Sequence, residues 1–235
     1  YDLFLSDGSN MQYILNAQSN YTVPVFDTLG RKIYQSDPDL GDWSYTYDAN
    51  GNLATQEDAK QQTIRYGYDK LNRVATKTYP NSSVITYSYD DATAGTYRRG
   101  RLWRVSNPTD AVNTIYTYDL RGRQSQVTKT LGFFGSTTRY GYDSLDRVTT
   151  MTYPNAEVVG YAYNGQGLLD SINHTTGTYA SFDYNAIGQV TSKTAGNGKV
   201  TTYDYYPDSQ RLRNLATPGV QNLTYSYDSA GNIGG

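Results

Sequence analysis

Aromatic residues return along this chain in pairs, separated by one residue and in most copies followed at once by Asp or Asn. Aligning on the second aromatic gives Phe26, Tyr47, Tyr68, Tyr89, Tyr118, Tyr142, Tyr163, Tyr184, Tyr205 and Tyr227, most of them 21 residues apart. Self-similarity at a fixed period marks a repeat array. Side chains alternate across a strand, so aromatics at i and i+2 share one face. The residue between them points the other way, and it is Thr46, Gly67, Ser88, Thr117, Gly141, Ala162, Asp183, Asp204 or Ser226. One face is therefore predicted to be bulky and aromatic, and the other small or short and polar. A sheet built this way is expected to curve toward its small face.

The residues after each pair predict a turn. Asp48 with Gly51, Asp69 with Asn72, Asp119 with Gly122, Asp143 with Asp146 and Asp228 with Gly231 bracket four-residue stretches. Asp favours the first position of a type I turn and Gly the fourth. Where Gly is replaced, the substitutes are Asn and Asp, the side chains that best tolerate a left-handed backbone. The pattern predicts a short hairpin loop, a type I turn followed by a left-handed residue in a bulge. Just beyond it an aliphatic recurs as Ile33, Leu53, Val74, Leu102, Val148, Leu169, Val190 and Ile233, with Gln124 as the exception. A second turn, as in Tyr79-Pro80-Asn81 and Tyr153-Pro154-Asn155, closes the unit. Each unit then reads as two antiparallel strands of seven or eight residues, spanning roughly 25 Å.

The resulting fold class is all-β, an antiparallel hairpin repeat array. Residues 1–25 read as a degenerate or partial first repeat and residues 26–235 as about ten units. Enlarged loops are expected near 90–101, where "DDATAGTYRRG" swells the unit, and near 129–139 around Leu131 to Phe134.

Composition narrows the function. Hydrophobic residues make up 37% of the chain and 26 residues are Tyr, so much of the surface available for burial carries a hydroxyl that needs a partner. A dry aliphatic core is not expected. The formal net charge of -2 supplies no basic footprint for a phosphate backbone, which argues against nucleic acid as a partner. No Cys and a single His exclude disulfides and ordinary zinc sites. No apolar run approaches the ~18 residues of a membrane span, and the start does not read as a signal peptide, so an export signal is expected outside this segment. A start without Met and an end in mid-pattern suggest a piece of a longer protein.

Candidate chemistry is sparse. The aromatic rows suit sugar stacking, but a position filled in nearly every repeat is more simply a packing position. Surplus aromatics in the irregular stretches, Tyr97, Trp103, Phe133 and Phe134, are the better candidates for ligand contact, with glycans as the partner. The turn carboxylates lack the five-oxygen pattern of a calcium loop and read as local caps. Arg31, Arg73, Arg101, Arg123 and Arg147 follow the turn Gly or its substitute, so the Asp of one unit is expected to face the Arg of the next. His174 has no nucleophile-elbow motif near it, and neither catalysis nor a cofactor is expected.

The stretches Tyr68 to Val74 and Tyr142 to Val148, with Tyr79-Pro80-Asn81 and Tyr153-Pro154-Asn155 downstream, resemble the YD repeats of Rhs proteins. The resemblance covers the chain from Phe26 onward. It implies a hairpin strip wound into a spiral shell. In Rhs elements and in the B and C components of insecticidal toxin complexes, such a shell encloses a C-terminal toxin; in teneurins a similar barrel belongs to an adhesion ectodomain. The expected function is thus non-catalytic wall material of a secreted or surface bacterial shell, with the toxin polypeptide and neighbouring repeats as partners. The alternative is an adhesion or carbohydrate-binding array. The self-cleaving core of cargo-releasing shells is not found here: the one Asp-Pro, Asp37-Pro38, lies near the start and outside that context.

Overall fold

A computed structural model of the chain describes residues 2–6, 10–15 and 21–234. Among them are twenty-one β-strands and no helix. By its contacts the chain divides into two units, one made of residues 1–122 and 128–135, the other of 123–127 and 136–235.

In the first unit the strands follow one another as an antiparallel meander, each paired with the next. Tyr21–Phe26 pairs with Lys32–Asp37, that strand with Gly41–Tyr47, and so on through Leu53–Glu57, Thr63–Tyr68, Val74–Thr78 and Val84–Tyr89. Beyond residues 90–101 the meander resumes with Leu102–Asn107 and Val112–Tyr118. The second unit, which takes in the strand Phe134–Tyr142 from residue 136, repeats the plan through to Gln221–Thr224. Neighbours in sequence are neighbours in space, as expected of a sheet built from local hairpins.

The register explains why the aromatic pair must precede the turn. Gly67 faces Thr76, but Tyr68 faces Val74, so one residue of the returning strand is skipped. The same slip precedes Tyr47, Tyr142, Tyr163, Tyr184 and Tyr205. This bulge is the counterpart of a left-handed residue in the loop. The strands are mostly five or six residues long, shorter than the seven or eight expected, because the turn and its bulge consume strand ends. Facing Phe26 across the first such bulge is Lys32 rather than Ile33. The aliphatic series places Ile33 one position out of step; it is the residue skipped at the bulge, and it is exposed.

The left-handed position is occupied by Gly30 at φ 75°, Asn72 at 59° and Asp146 at 65°. A Cβ added to Gly30 would meet nothing within 4 Å, so only the backbone decides what fits there. Gly30→Asn is therefore expected to be within a few tenths of a kcal/mol of the parent, and Gly30→Val to lose about 1–2 kcal/mol, as read by urea denaturation. Equal losses for both would show that the position is not governed by φ.

Among the described residues no layer covers the sheet within either unit, and burial is correspondingly shallow. The buried hydrophobic side chains among the described residues are Val159 and Ala180, each 6% exposed. On the small face, cross-strand pairs close over short polar groups: Thr46 and Thr55 hydroxyls lie 2.6 Å apart, and Ser192 donates to Asp183 at 2.5 Å. A sheet with so thin a core must be held by directional contacts on its tyrosine face and at its turns.

Candidate functional site: the tyrosine face and its turn edge

The turns are built the same way in copy after copy. In the loop after Tyr47, the Asp48 amide donates to the Asn52 carbonyl at 2.8 Å and the Gly51 amide to the Asp48 carbonyl at 3.0 Å. Asp48 Oδ1 accepts the amides of Asn50 and Asn52, and Oδ2 accepts the Asn52 side chain at 3.0 Å. Asp69 and Asp143 accept the matching pairs of amides from Leu71 and Arg73, and from Leu145 and Arg147. Asp119 accepts the Arg121 amide, and Asp228 the amide and side chain of Asn232. Gly122 and Gly231 close their turns onto the carbonyls of Asp119 and Asp228. Asn72 accepts from the side chains of Asn50 and Asn52, and Asp146 from Arg123 at 2.7 Å. These bonds hold the carboxyls of Asp48 and Asp228 below their ordinary range, chiefly through Asn52 and Asn232, and that of Asp69 chiefly through the Arg73 amide.

The arginines correct the expectation of an Asp-to-next-Arg ladder. Arg31, Arg73 and Arg147 close first on the Asp four residues before them, in the same turn, at 2.7 Å. Their guanidinium planes then lie over the tyrosine of the next repeat: Arg31 over Tyr47 at 4.6 Å, Arg73 over Tyr89 at 4.2 Å and Arg147 over Tyr163 at 4.3 Å. Arg101, Arg123 and Arg211 stack likewise on Tyr118, Tyr142 and Tyr227. Each such contact is worth about 0.5–1 kcal/mol when exposed. Arg73 also reaches forward to Asp90 at 2.5 Å.

The same tyrosines carry the other cross-repeat contact. The hydroxyl of Tyr68 donates to the Leu53 carbonyl at 2.8 Å, Tyr89 to Val74 at 3.0 Å, Tyr163 to Val148 at 2.8 Å and Tyr184 to Leu169 at 2.7 Å. Tyr47, Tyr205 and Tyr227 repeat the bond, again to the residue fifteen positions back. Tyr118 and Tyr142 keep it across sixteen and eighteen positions, to Leu102 and Gln124. In each case the acceptor is the residue on the returning strand of the hairpin before. Nine of the 26 tyrosines thereby pair their hydroxyls with backbone of the preceding hairpin.

The four ligand candidates do not form one site. Residues 91–99 are an insertion inside an ordinary turn frame, since the Asp90 amide still donates to the carbonyl that follows Gly100, that of Arg101. Arg98 anchors the insertion by donating to the Tyr116 carbonyl at 2.8 Å and to Asp91 at 2.6 Å, with its guanidinium 5.1 Å from the Trp103 ring. Trp103 lies in the strand Leu102–Asn107 and not in an irregular loop. Tyr97 is 41% exposed above this anchor. The segment 129–139, expected as a loop, is instead carried by the strands Gln124–Leu131 and Phe134–Tyr142. Only Gly132 and Phe133 separate them, leaving Phe133 and Phe134 at 107% and 83% exposure. The Gly132 amide donates to Ala111, just before the strand Val112–Tyr118, whereas Arg98 binds near that strand's far end. The two aromatic pairs thus sit at opposite ends of a seven-residue strand.

His174 is engaged by Thr176 at 3.1 Å, and its ring lies tilted at 42° to that of Tyr179, with centroids 4.4 Å apart. Among the described residues no group of three or more His, Cys, Asp or Glu could hold a metal ion, and no helix is long and apolar enough to cross a membrane. The polar groups that recur on this edge are acceptors and donors committed to backbone and to the next repeat. Their chemistry is that of fastening.

Residues 47–84 match the family model described as RHS Repeat, and residues 99–235 match the one described as Teneurin YD-shell. The second match takes in more than half of the chain. The chain belongs to the teneurin YD-shell family. A search of curated proteins finds no match. Among solved structures, this YD-shell segment is similar to a TcdB2–TccC3 complex without its hypervariable C-terminal region, at 19% identity and a TM-score of 0.78 over 90% of the segment. It is similar also to the Tc holotoxin pore of Photorhabdus luminescens, at 20% identity and a TM-score of 0.77. The segment spans 12% of each of those chains. The likeness shows a shared fold, and family and fold together make this chain a structural segment of a YD shell.

Proposed function

We propose that this segment is wall material of a secreted bacterial shell that encloses a toxin polypeptide and has no catalytic part in what the toxin does. The observation that carries the reading is the likeness in fold to the TcdB2–TccC3 complex without its hypervariable C-terminal region. The contacts of the tyrosine face support it in physical terms. A wall one sheet thick cannot rely on a dry core, so its strands need fastening from one repeat to the next. The tyrosine–carbonyl bonds and the arginine–tyrosine stacks supply this in both units. A wall fastened in this way keeps a polypeptide away from solvent and proteases by exclusion.

The test is made on the whole protein to which this segment belongs. Expressed in full and treated with protease, it is expected to yield a C-terminal fragment that co-elutes with the shell and resists digestion until the shell is denatured. A chain digested evenly from its C-terminus under native conditions, with nothing retained, would overturn the reading.

A further inference from the structure

Residues 65–90 and 139–164 align without a gap, and both run from an Arg-Tyr-Gly-Tyr-Asp stretch through a Tyr-Pro-Asn turn. Their registers coincide as well. Tyr66 faces Lys77 where Tyr140 faces Met151, and Lys77 faces Ile85 where Met151 faces Val159. The two segments therefore serve as controls for each other, and two of their differences that change charge, Lys77 against Met151 and Ser83 against Glu157, fall around the tyrosine of the Tyr-Pro-Asn turn.

In the first segment the patch carries its own cation. Lys77 Nζ lies 4.8 Å from the centre of the Tyr79 ring and 5.7 Å from that of Tyr66. Nearby, Ser83 is buried and exchanges hydrogen bonds with Asn107. In the second segment the lysine has become Met151 and the buried serine has become Glu157. A positive charge has left the tyrosines and a negative charge has arrived beside them.

Glu157 stands in a concavity of about 570 Å³ walled by Tyr153, Tyr161 and Tyr179 over the side chains of Val159 and Ile172. The Tyr179 hydroxyl donates to its carboxylate, and that bond foremost holds the carboxyl below its ordinary range. Among the described residues no Lys or Arg forms an ion pair with it; His174, whose ring lies tilted against Tyr179, is the one basic neighbour that lowers its pKa. Elsewhere on this molecule tyrosine rings are repeatedly covered by Lys or Arg, as at Tyr45, Tyr47, Tyr66, Tyr89 and Tyr163. Here rings, carboxylate and space are present without the cation.

We propose that this concavity binds a lysine or arginine side chain of a polypeptide, with the ammonium or guanidinium against Glu157 and the methylenes along the tyrosine rings. A ring face attracts a cation through its quadrupole, and a long basic side chain buries its stem while its charge finds a partner. The concavity is open on one side, so the side chain enters while its main chain stays outside. The one charged group in this wall is the Glu157 carboxylate, which a basic side chain neutralises and an uncharged sugar does not. The proposal does not rest on the cargo reading, since a shell without cargo would leave the site intact.

The test is an NMR titration of the protein with Nα-acetyl-lysine amide and Nα-acetyl-arginine amide, set against Nα-acetyl-norleucine amide and N-acetylglucosamine. Shifts are expected at Tyr153, Tyr161 and Tyr179 with the two basic probes only. Glu157→Gln, which keeps the size of the side chain, is expected to weaken binding at least about tenfold. Met151→Lys is expected to abolish it, by restoring the built-in cation of the first segment. Should one variant fail to fold, the other carries the test. Equal binding of the norleucine or sugar probe, or unchanged lysine binding in a folded variant, would overturn the proposal.

Discussion

Truncating Tyr163 to Ala is expected to lower stability toward urea by about 3 kcal/mol, while Tyr163→Phe costs about 1 kcal/mol. The two numbers separate the two things this residue does. Phe keeps the ring under Arg147, at 4.3 Å, and removes only the hydroxyl that donates to the Val148 carbonyl at 2.8 Å. That loss is a single hydrogen bond to a part-buried acceptor. Ala removes the ring as well, and with it the surface that covers the preceding hairpin and seats the arginine. In an array each repeat leans on its neighbours, so the damage should also be local. Hydrogen exchange is expected to quicken in Val148–Thr152 and Leu169–His174 while Val200–Tyr205 keeps its protection. Equal losses for Phe and Ala would mean that the hydroxyl, not the ring, fastens the strip.

That experiment also marks the boundary of what the sequence discloses. Strand direction, the two faces and the turn chemistry are local properties, governed by a period of two and by which residues accept a left-handed backbone, and they can be read from Tyr66 to Asn72 alone. The fastening between repeats is not local in that sense. The acceptor for Tyr68 is the carbonyl of Leu53, and a carbonyl has no residue identity to recognise. A signal did exist: in copies spaced by 21 residues the acceptor lies at a constant fifteen positions back, on the recurring aliphatic except at Tyr47, where it is Lys32. The arginines were misassigned for a related reason. Arg73 lies four residues after Asp69, near enough to close on it within one turn, and this short-range pairing leaves the guanidinium plane free to lie over Tyr89. The stretch 129–139 was expected as a loop because its length broke the period, yet added residues can extend two strands as readily as they can form a loop. The aromatic concavity at Glu157 was invisible for a simpler reason, because it needs the registers that set Tyr161 beside Ile172 and Ile172 beside Ala180, and so bring Tyr179 to Glu157.

The stability of the strip is expected to be flat from about pH 5 to pH 9 and to fall on both sides of that range. On the acid side, Asp27, Asp48, Asp69 and Asp228 have folded pKa values below their ordinary 3.8, held there chiefly by the Arg31 amide, the Asn52 side chain, the Arg73 amide and the Asn232 side chain. The unfolded chain therefore takes up protons first as the pH falls. Stability present above 3.8 is lost as the pH drops toward the lower folded values. On the alkaline side, burial raises the phenols of Tyr47, Tyr68, Tyr89, Tyr118, Tyr184 and Tyr205 above their ordinary 10.0. Here the unfolded chain loses protons first, so stability falls as the pH rises from 10.0 through the folded values. All six of these phenols also spend their proton on a backbone carbonyl, and ionisation would turn that donor into a repelled acceptor. Melting temperature followed across the pH range checks both limbs. Asp69→Asn serves as the control, because an amide oxygen can accept the same turn amides, as Asn164 accepts those of Gln166 and Leu168. That variant is expected to soften the acid limb and leave the alkaline limb unchanged. An acid limb of unchanged steepness would remove the turn carboxylates from the account, and a flat alkaline limb would remove the tyrosine bonds.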